Sequence, residues 1–420
     1  MKKLKLTNPW TIFIGCCVLS FVGFGIIVNT HGLYFNALSE ELGLNKTQLA
    51  LTLTFQAVAC AITLIFSGKI MSKVNTQLLL SICVVIFGGG FILFATFKTI
   101  IPFLVVWTII GIAQAFALVL AIPVLLGNWF EKKLGLVMGI ALGISGIGGA
   151  FFNTFISDII VEQGWRTATI LSGILILVCI LPFTLFVFRF RPDPGKGELP
   201  YGREPNNGID KIAAKQTVFG ITAKEAFRTP SFYFYLITIF SLSIAGGLVQ
   251  HISGHIVDLG FSLTVGASVV SGIMIGAAIG KALIGVLLDL MNPNIVISLY
   301  AISGIVGWGG LIFFPSEQAL IVCGFLLGLG QGIVLVAIPY FVRKTFGNKE
   351  YSQIFSILSM VGSFASAIAA TLAGVLFDST GSYTLSINLN LVFYVIAYVC
   401  ILLGYSFRRK ITVLKEEKAV

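Results

Sequence analysis

In the stretch GAAIGKALIG (residues 276–285), a single lysine, Lys281, interrupts glycine, alanine and branched aliphatics. The nearest charges along the chain are Asp258 and Asp289. A cation this deep in an apolar run is costly; such residues face a cavity and mark the path of a charged substrate. Its neighbours one turn away, Ala277 and Gly285, are small and leave room beside the ammonium group. A lysine stem can also snorkel, and roughly 12 Å of helix separates Lys281 from Asp289. Asp158, Asp258, Asp378 and Asp289 all fall at helix ends. A cationic substrate would therefore lack a buried counter-charge, whereas an anion would find Lys281.

The chain has three histidines, His31, His251 and His255. His251 and His255 are one helical turn apart, with Asp258 another turn on, so they share a face. Histidine titrates near pH ~6.5 when unperturbed, which makes all three proton-coupling candidates. His251 is also a candidate substrate contact. Gln114, Gln331, Tyr34, Tyr340 and Asn29 are polar positions within apolar segments. They are candidates for substrate binding, with polar contact between helices as the competing role. GISGIGG (143–149) lacks the lysine and strand-to-helix setting of a phosphate loop. With no nucleophile–base pair, complete metal-ligand set or nucleotide loop, the pattern implies no enzyme, no metal and no cofactor.

The elements that would hold these residues follow from composition. The 420 residues are 57% hydrophobic and only 10% charged, where soluble domains carry about 25%. Apolar segments fall at about 10–37, 47–68, 76–97, 100–127, 134–160 and 166–190. They resume at about 231–257, 263–288, 293–314, 317–341, 351–377 and 383–407. Runs of about 20 apolar residues span a bilayer as helices. The expectation is an all-α membrane protein of twelve transmembrane helices: a six-helix half at 1–190, a polar linker at 191–228 and a second half at 229–420. The first run is too long for a signal-peptide core, so no cleavable signal is expected. All seven cysteines fall in apolar runs and read as small buried residues.

Basic residues collect at one set of loops. With the N-terminus inside, the cytoplasmic side takes Lys2, Lys3, Lys5, Lys69, Lys73, Lys132, Lys133, the linker, Arg343, Lys344, Lys349 and the tail. The outer side takes Lys46, Lys98 and Arg166. This asymmetry places both termini in the cytoplasm. It also accounts for the formal net charge of +10 without nucleic acid.

The halves are related in sequence. A shift of 217 pairs Leu42-Gly43 with Leu259-Gly260, Ala61-Ile62 with Ala278-Ile279, Gly68 with Gly285, Gly111 with Gly328 and Gln114 with Gln331. One deletion later, AIP at 121–123 pairs with AIP at 337–339. A parallel repeat of six helices is a transporter architecture that holds substrate near the midplane, where the halves meet.

The loops GKIMSK (68–73) and GVLLDL (285–290) resemble the G-x-L-x-D-R loop of the major facilitator superfamily. By that resemblance Gly68, Lys73, Gly285 and Asp289 belong to the conformational loops. Within the superfamily, HGLYFNALSEELGLNKTQLA (31–50), NWFEKKLGLVMGIALGISGIGGAFF (128–152), GWRTA (164–168) and HISGHIVDLGFS (251–262) resemble monocarboxylate transporters and oxalate–formate antiporters. The resemblance implies that Lys281 takes the place of an arginine that contacts the substrate carboxylate. It keeps the charge without the planar fork. Ala277 stands where proton-coupled members carry an acid, which transfers coupling to the histidines. Residues 351–377 hold no Lys or Arg, unlike oxalate-type members.

The expected activity is secondary active transport of a small organic anion, a monocarboxylate first, across the cell membrane by alternating access with proton coupling. An anion/anion exchanger and an efflux transporter for amphipathic compounds are the alternatives. The expected partners are the anion, H+ or a counter-anion, and the lipid bilayer. The chain is expected to work as a monomer.

Overall fold

The computed structural model describes residues 8–44, 46–193, 198–203, 220–249, 252, 255–256, 259–380 and 382–407. Helices begin where the sequence supplies caps. Asn8 and Thr11 form a reciprocal capping box ahead of Pro9. The Asn75 side chain accepts from the Gln77 and Leu78 amides. Asn292, its partner under the 217-residue shift, accepts from the Asn294 amide. Ser262 does the same for Val265.

Eleven helical runs among the described residues are long and apolar enough to cross a bilayer. One of them, Leu134–Phe186, has 53 residues, about 80 Å of helix against a hydrocarbon core of about 30 Å. Gly164 breaks it with φ 82° and ψ 161°, a conformation only glycine adopts readily. Two crossings result, so the described residues form twelve. We label them α1 (Pro9–Val28), α2 (Lys46–Lys73), α3 (Thr76–Phe94), α4 (Ile100–Trp129), α5 (134–163) and α6 (165–186). The second set is α7 (Pro230–Leu248), α8 (Leu263–Leu290), α9 (Pro293–Phe313), α10 (Glu317–Phe346), α11 (Tyr351–Thr380) and α12 (Thr384–Ser406). A short helix, Tyr34–Leu42, follows α1 and ends at Gly43 with φ 66°.

The chain divides into two compact units, Met1–Thr217 and Val218–Val420. Each repeats the other's packing. In the first, α2 meets α4 so closely that a Cβ on Gly111 would overlap the Gln56 carbonyl. In the second, α8 meets α10 so closely that a Cβ on Gly328 would overlap the Ile273 carbonyl. Both residues of that contact are related by the shift of 217, so the sequence repeat is also a packing repeat. Small residues permit such approach between membrane helices. Exposed apolar side chains such as Phe66, Ile101, Val178 and Met274 stud both units, a surface suited to lipid rather than water.

The linker is anchored at both described ends. Tyr201 makes an isolated β-bridge with Phe130, and Gly220 makes one with Gly347. Phe130 follows α4 and Gly347 follows α10, so each unit holds its end of the linker by a corresponding loop. All seven cysteines are free thiols.

Candidate functional site

In the C-terminal unit, glycines bring the α8 and α10 backbones together around Lys281. A Cβ on Gly280 would lie 2.6 Å from the Leu329 carbonyl oxygen. A Cβ on Gly332 would lie 3.0 Å from the Gly280 oxygen and 3.3 Å from the Lys281 nitrogen. From α9, the Tyr300 hydroxyl donates to the Gly280 carbonyl at 3.1 Å. The turn that carries Lys281 is thus held from two sides. Lys281 is half-buried, and among the described residues its side chain has no hydrogen bond or ion pair. Gln331 precedes Gly332 and is also half-buried. Its amide side chain likewise has no partner among the described residues. Among the described residues, Lys281 on α8 and Gln331 on α10 are thus a cation and an amide left without a partner.

The other C-terminal candidates are placed elsewhere. Tyr340 is buried, and its hydroxyl donates to the Leu288 carbonyl at 3.0 Å. Lys344 Nζ stands 5.5 Å from the centre of its ring. Gly285 is buried in α8, and Asp289 is exposed near its end. His255 is buried with Nε2 3.4 Å from the Leu311 carbonyl. His251 and Asp258 lie outside the described residues.

In the N-terminal unit, His31 and Tyr34 come together. His31 follows α1, is buried, and stacks on Trp107 with ring centres 3.8 Å apart and planes 15° apart. Its Nε2 lies 3.0 Å from Thr52 Oγ1. Thr52 spends its own proton on the Leu49 carbonyl, so His31 Nε2 is the donor. Ser172 donates to the Ala168 carbonyl, which makes Tyr34 the donor in its 3.2 Å bond to Ser172. With Phe91, Trp107 and Trp165, these two residues line a cavity of about 20 Å³. That volume suits a water-sized guest.

Gln114 is half-buried, and its Oε1 accepts from Gln56 Nε2 at 2.7 Å. Asn29 is exposed, and its amide donates to the Ser145 carbonyl at 3.3 Å. Gly68 is buried in α2, while Lys73 is exposed in its last turn.

Three features escaped sequence reasoning. The first is π-helical structure, a longer stretch at Leu19–Val28 and a pair of turns at repeat-related places. The Ala121 amide bonds the Phe116 carbonyl in α4, and the Ile338 amide bonds the Ile333 carbonyl in α10. Each bond reaches five residues back, and such turns favour functional sites. The repeated AIP was the available signal, because Pro123 and Pro339 remove an amide donor just beyond each turn. The second is Gln56, which the sequence did not distinguish from any other polar residue of α2. The third is an ion pair between Glu41 and Arg166. Trp165 Nε1 donates to Glu41 at 2.5 Å, and Arg166 Nε donates to the Ala95 carbonyl at 3.0 Å. Bonds from Arg166 and then Trp165 hold the Glu41 carboxyl below the ordinary glutamate range.

Comparison with known proteins gives this arrangement its family. The model of the Major Facilitator Superfamily matches residues 15–316 and 253–418. Monocarboxylate transporter 12-B of Danio rerio is 23% identical, over 91% of this chain and 83% of its own. The 4-hydroxybenzoate transporter PcaK of Acinetobacter baylyi is 22% identical, over 91% of this chain and 88% of its own. An uncharacterized MFS-type transporter, YhjX of Escherichia coli (strain K12), is 22% identical over 83% of each chain. Among solved structures, the proton:xylose symporter XylE superposes with a TM-score of 0.72 at 13% identity, covering 96% of this chain and 95% of that one. FucP in its outward conformation gives 0.66 at 15% identity, covering 94% and 98%. Twelve crossing helices, a six-helix packing repeat and a family match over most of the chain lead to one conclusion: this protein belongs to the major facilitator superfamily and is a membrane transporter of a small substrate, not an enzyme.

Proposed function

We propose that the protein is a secondary active transporter of a small organic anion, a monocarboxylate, working by alternating access across the cell membrane with both termini in the cytoplasm. The observation that carries this reading is Lys281, a half-buried cation on α8 with no partner among the described residues. A membrane protein retains such a charge where a ligand supplies the opposite one. One cation suits one carboxylate. Gln331, next in sequence to Gly332, which packs on this turn, offers an amide for the second carboxylate oxygen or for a hydroxyl or keto group on the substrate. Relatives named as monocarboxylate and 4-hydroxybenzoate transporters agree with a carboxylate as cargo.

Coupling is assigned to protons through the histidines, because Ala277 leaves α8 without an acid one turn from Lys281. Uptake of labelled monocarboxylates into proteoliposomes, with and without an inward proton gradient, tests both parts. The gradient should accelerate uptake of at least one acid. If uptake instead requires preloading with a second anion, the protein is an exchanger. If no acid enters while amphipathic compounds do, the anion reading is lost. Orientation is tested separately with a cysteine at Gly208 in a cysteine-depleted background. It should react with an impermeant label only after the cells are permeabilised.

A further inference from the structure

Beyond the transport reading, we propose that the seam between α9 and α12 contains a buried binding site for water, formed by Trp308, Ser386 and Asn390. Two contacts set the antiparallel register of this seam. The Tyr398 hydroxyl donates to Ser298 Oγ at 3.0 Å. Farther along, a Cβ on Gly304 would lie 2.8 Å from Tyr394 Cδ1. One helical turn onward, that register sets Trp308 level with Asn390, and Ser386 lies one more turn along α12. His255 reaches the same end of the seam through Leu311.

All three residues are almost wholly enclosed: Trp308 is 1% exposed, Asn390 0% and Ser386 2%. Yet among the described residues Trp308 Nε1, Ser386 Oγ and both Asn390 Oδ1 and Nδ2 have no hydrogen-bond partner. Exchanging the oxygen and nitrogen of the Asn390 amide does not help, because both ends are unsatisfied. Native structures pair the great majority of such atoms with protein or ordered water. Four unsatisfied atoms in one seam indicate a ligand rather than an isolated defect.

The atoms specify its chemistry. Trp308 only donates, the Asn390 oxygen only accepts, its nitrogen only donates, and Ser386 does either. None carries a formal charge. The guest must therefore be small, neutral, and both donor and acceptor, which describes water. Nor does the fold demand polarity here. In the N-terminal unit Phe91 stands at the position of Trp308. Opposite it, Gly173 packs so closely that a Cβ would lie 3.1 Å from the Ile92 nitrogen. Thr169 stands at the position of Ser386, and its hydroxyl is already bonded to the Arg166 carbonyl.

The test uses the full-length protein labelled with 5-fluorotryptophan. The ¹⁹F resonance that disappears in Trp308→Phe is recorded in H₂O and in D₂O. A hydrated indole should show a solvent isotope shift, and Asn390→Leu should reduce it. The second readout needs no assignment. If water satisfies the amide, Asn390→Leu loses bonded contacts and should lower the thermal midpoint by roughly 2–4 °C. If the seam is dry, the same change removes two unsatisfied atoms and leaves the midpoint unchanged or raised. No isotope shift at Trp308, or an Asn390→Leu midpoint at or above that of the parent, overturns the proposal.

Discussion

In the N-terminal unit, Gln114 is bonded to Gln56 across α2 and α4. In the C-terminal unit, its repeat partner Gln331 has no such mate, because Ile273 stands where Gln56 does. Lys281 follows the same rule. Its counterpart is Leu64, fully buried and apolar. Trp308 replaces Phe91 in like manner. The backbone contacts that define each unit are shared, down to Gly111 on Gln56 and Gly328 on Ile273. The halves therefore differ in chemistry more than in scaffold. The first pairs Gln114 internally and has a leucine at the place of the lysine, whereas among the described residues the second leaves Lys281 and Gln331 without a partner. A duplicated fold keeps its packing contacts because glycine against backbone tolerates no side chain. Positions outside those contacts are free to specialise.

The sharpest way to break this comparison is at the pair Lys281 and Leu64. Removing one partner of a desolvated charge pair costs about 2–5 kcal/mol, and about 1.4 kcal/mol is tenfold. Lys281→Met should therefore weaken binding of the transported acid by some tens- to thousands-fold in a direct binding assay. Lys281→Arg should do less harm. Leu64→Met, a volume-conserving change, should leave affinity as it was. Near-normal affinity in an expressed Lys281→Met protein would return the lysine to a snorkelling role.

Next in size are the two glycine contacts. Gly111→Ala and Gly328→Ala each push a methyl group into a backbone carbonyl. Overpacking of this kind costs about 1–3 kcal/mol. Thermal unfolding should show losses of similar size, because the contact is the same in both units. A large loss in one and none in the other would mean the scaffolds are less alike than the repeat implies.

The glutamines should give a smaller and opposite pattern. Gln56→Leu strands Gln114, and interhelical bonds in membranes average about 0.6 kcal/mol with a maximum near 1.7. Gln331→Leu removes no bond found among the described residues, so stability should hold while transport of the acid changes. Equal stability losses from the two changes would show that Gln331 has an internal role.

The smallest effect concerns pH at the Glu41–Arg166 ion pair. Arg166 depresses the Glu41 pKa in the folded state, so this pair's stabilisation is present above the unfolded glutamate value of about 4.3 and is lost as pH falls through the lower folded value. Both side chains are partly exposed, so the contribution is slight. The thermal midpoint of Glu41→Gln, followed from pH 7 to pH 3, should fall less steeply than that of the parent. An identical slope would show that the pair does not contribute to acid sensitivity.

Much of this organisation is readable in the chain itself. Hydropathy alone marks all twelve crossings, because hydrocarbon forces each span to be long, apolar and helical. Gly164 separates two of them by a conformation that other residues rarely adopt. The repeat is visible because glycines in backbone contacts cannot vary freely. Lys281 stands out because a charge amid aliphatic residues needs a reason. Tertiary structure alone decides which polar residues are already satisfied. Nothing in sequence separates Gln114 from Gln331; the difference lies in whether residue 56 or 273, more than fifty residues away, offers an amide across a helix interface. The π-helical turns, the Tyr34–Ser172 bond and the unsatisfied atoms of Trp308, Ser386 and Asn390 are of the same kind. Hydrogen bonds are short and directional, so their pairing depends on helix register and rotation, which hydropathy does not encode.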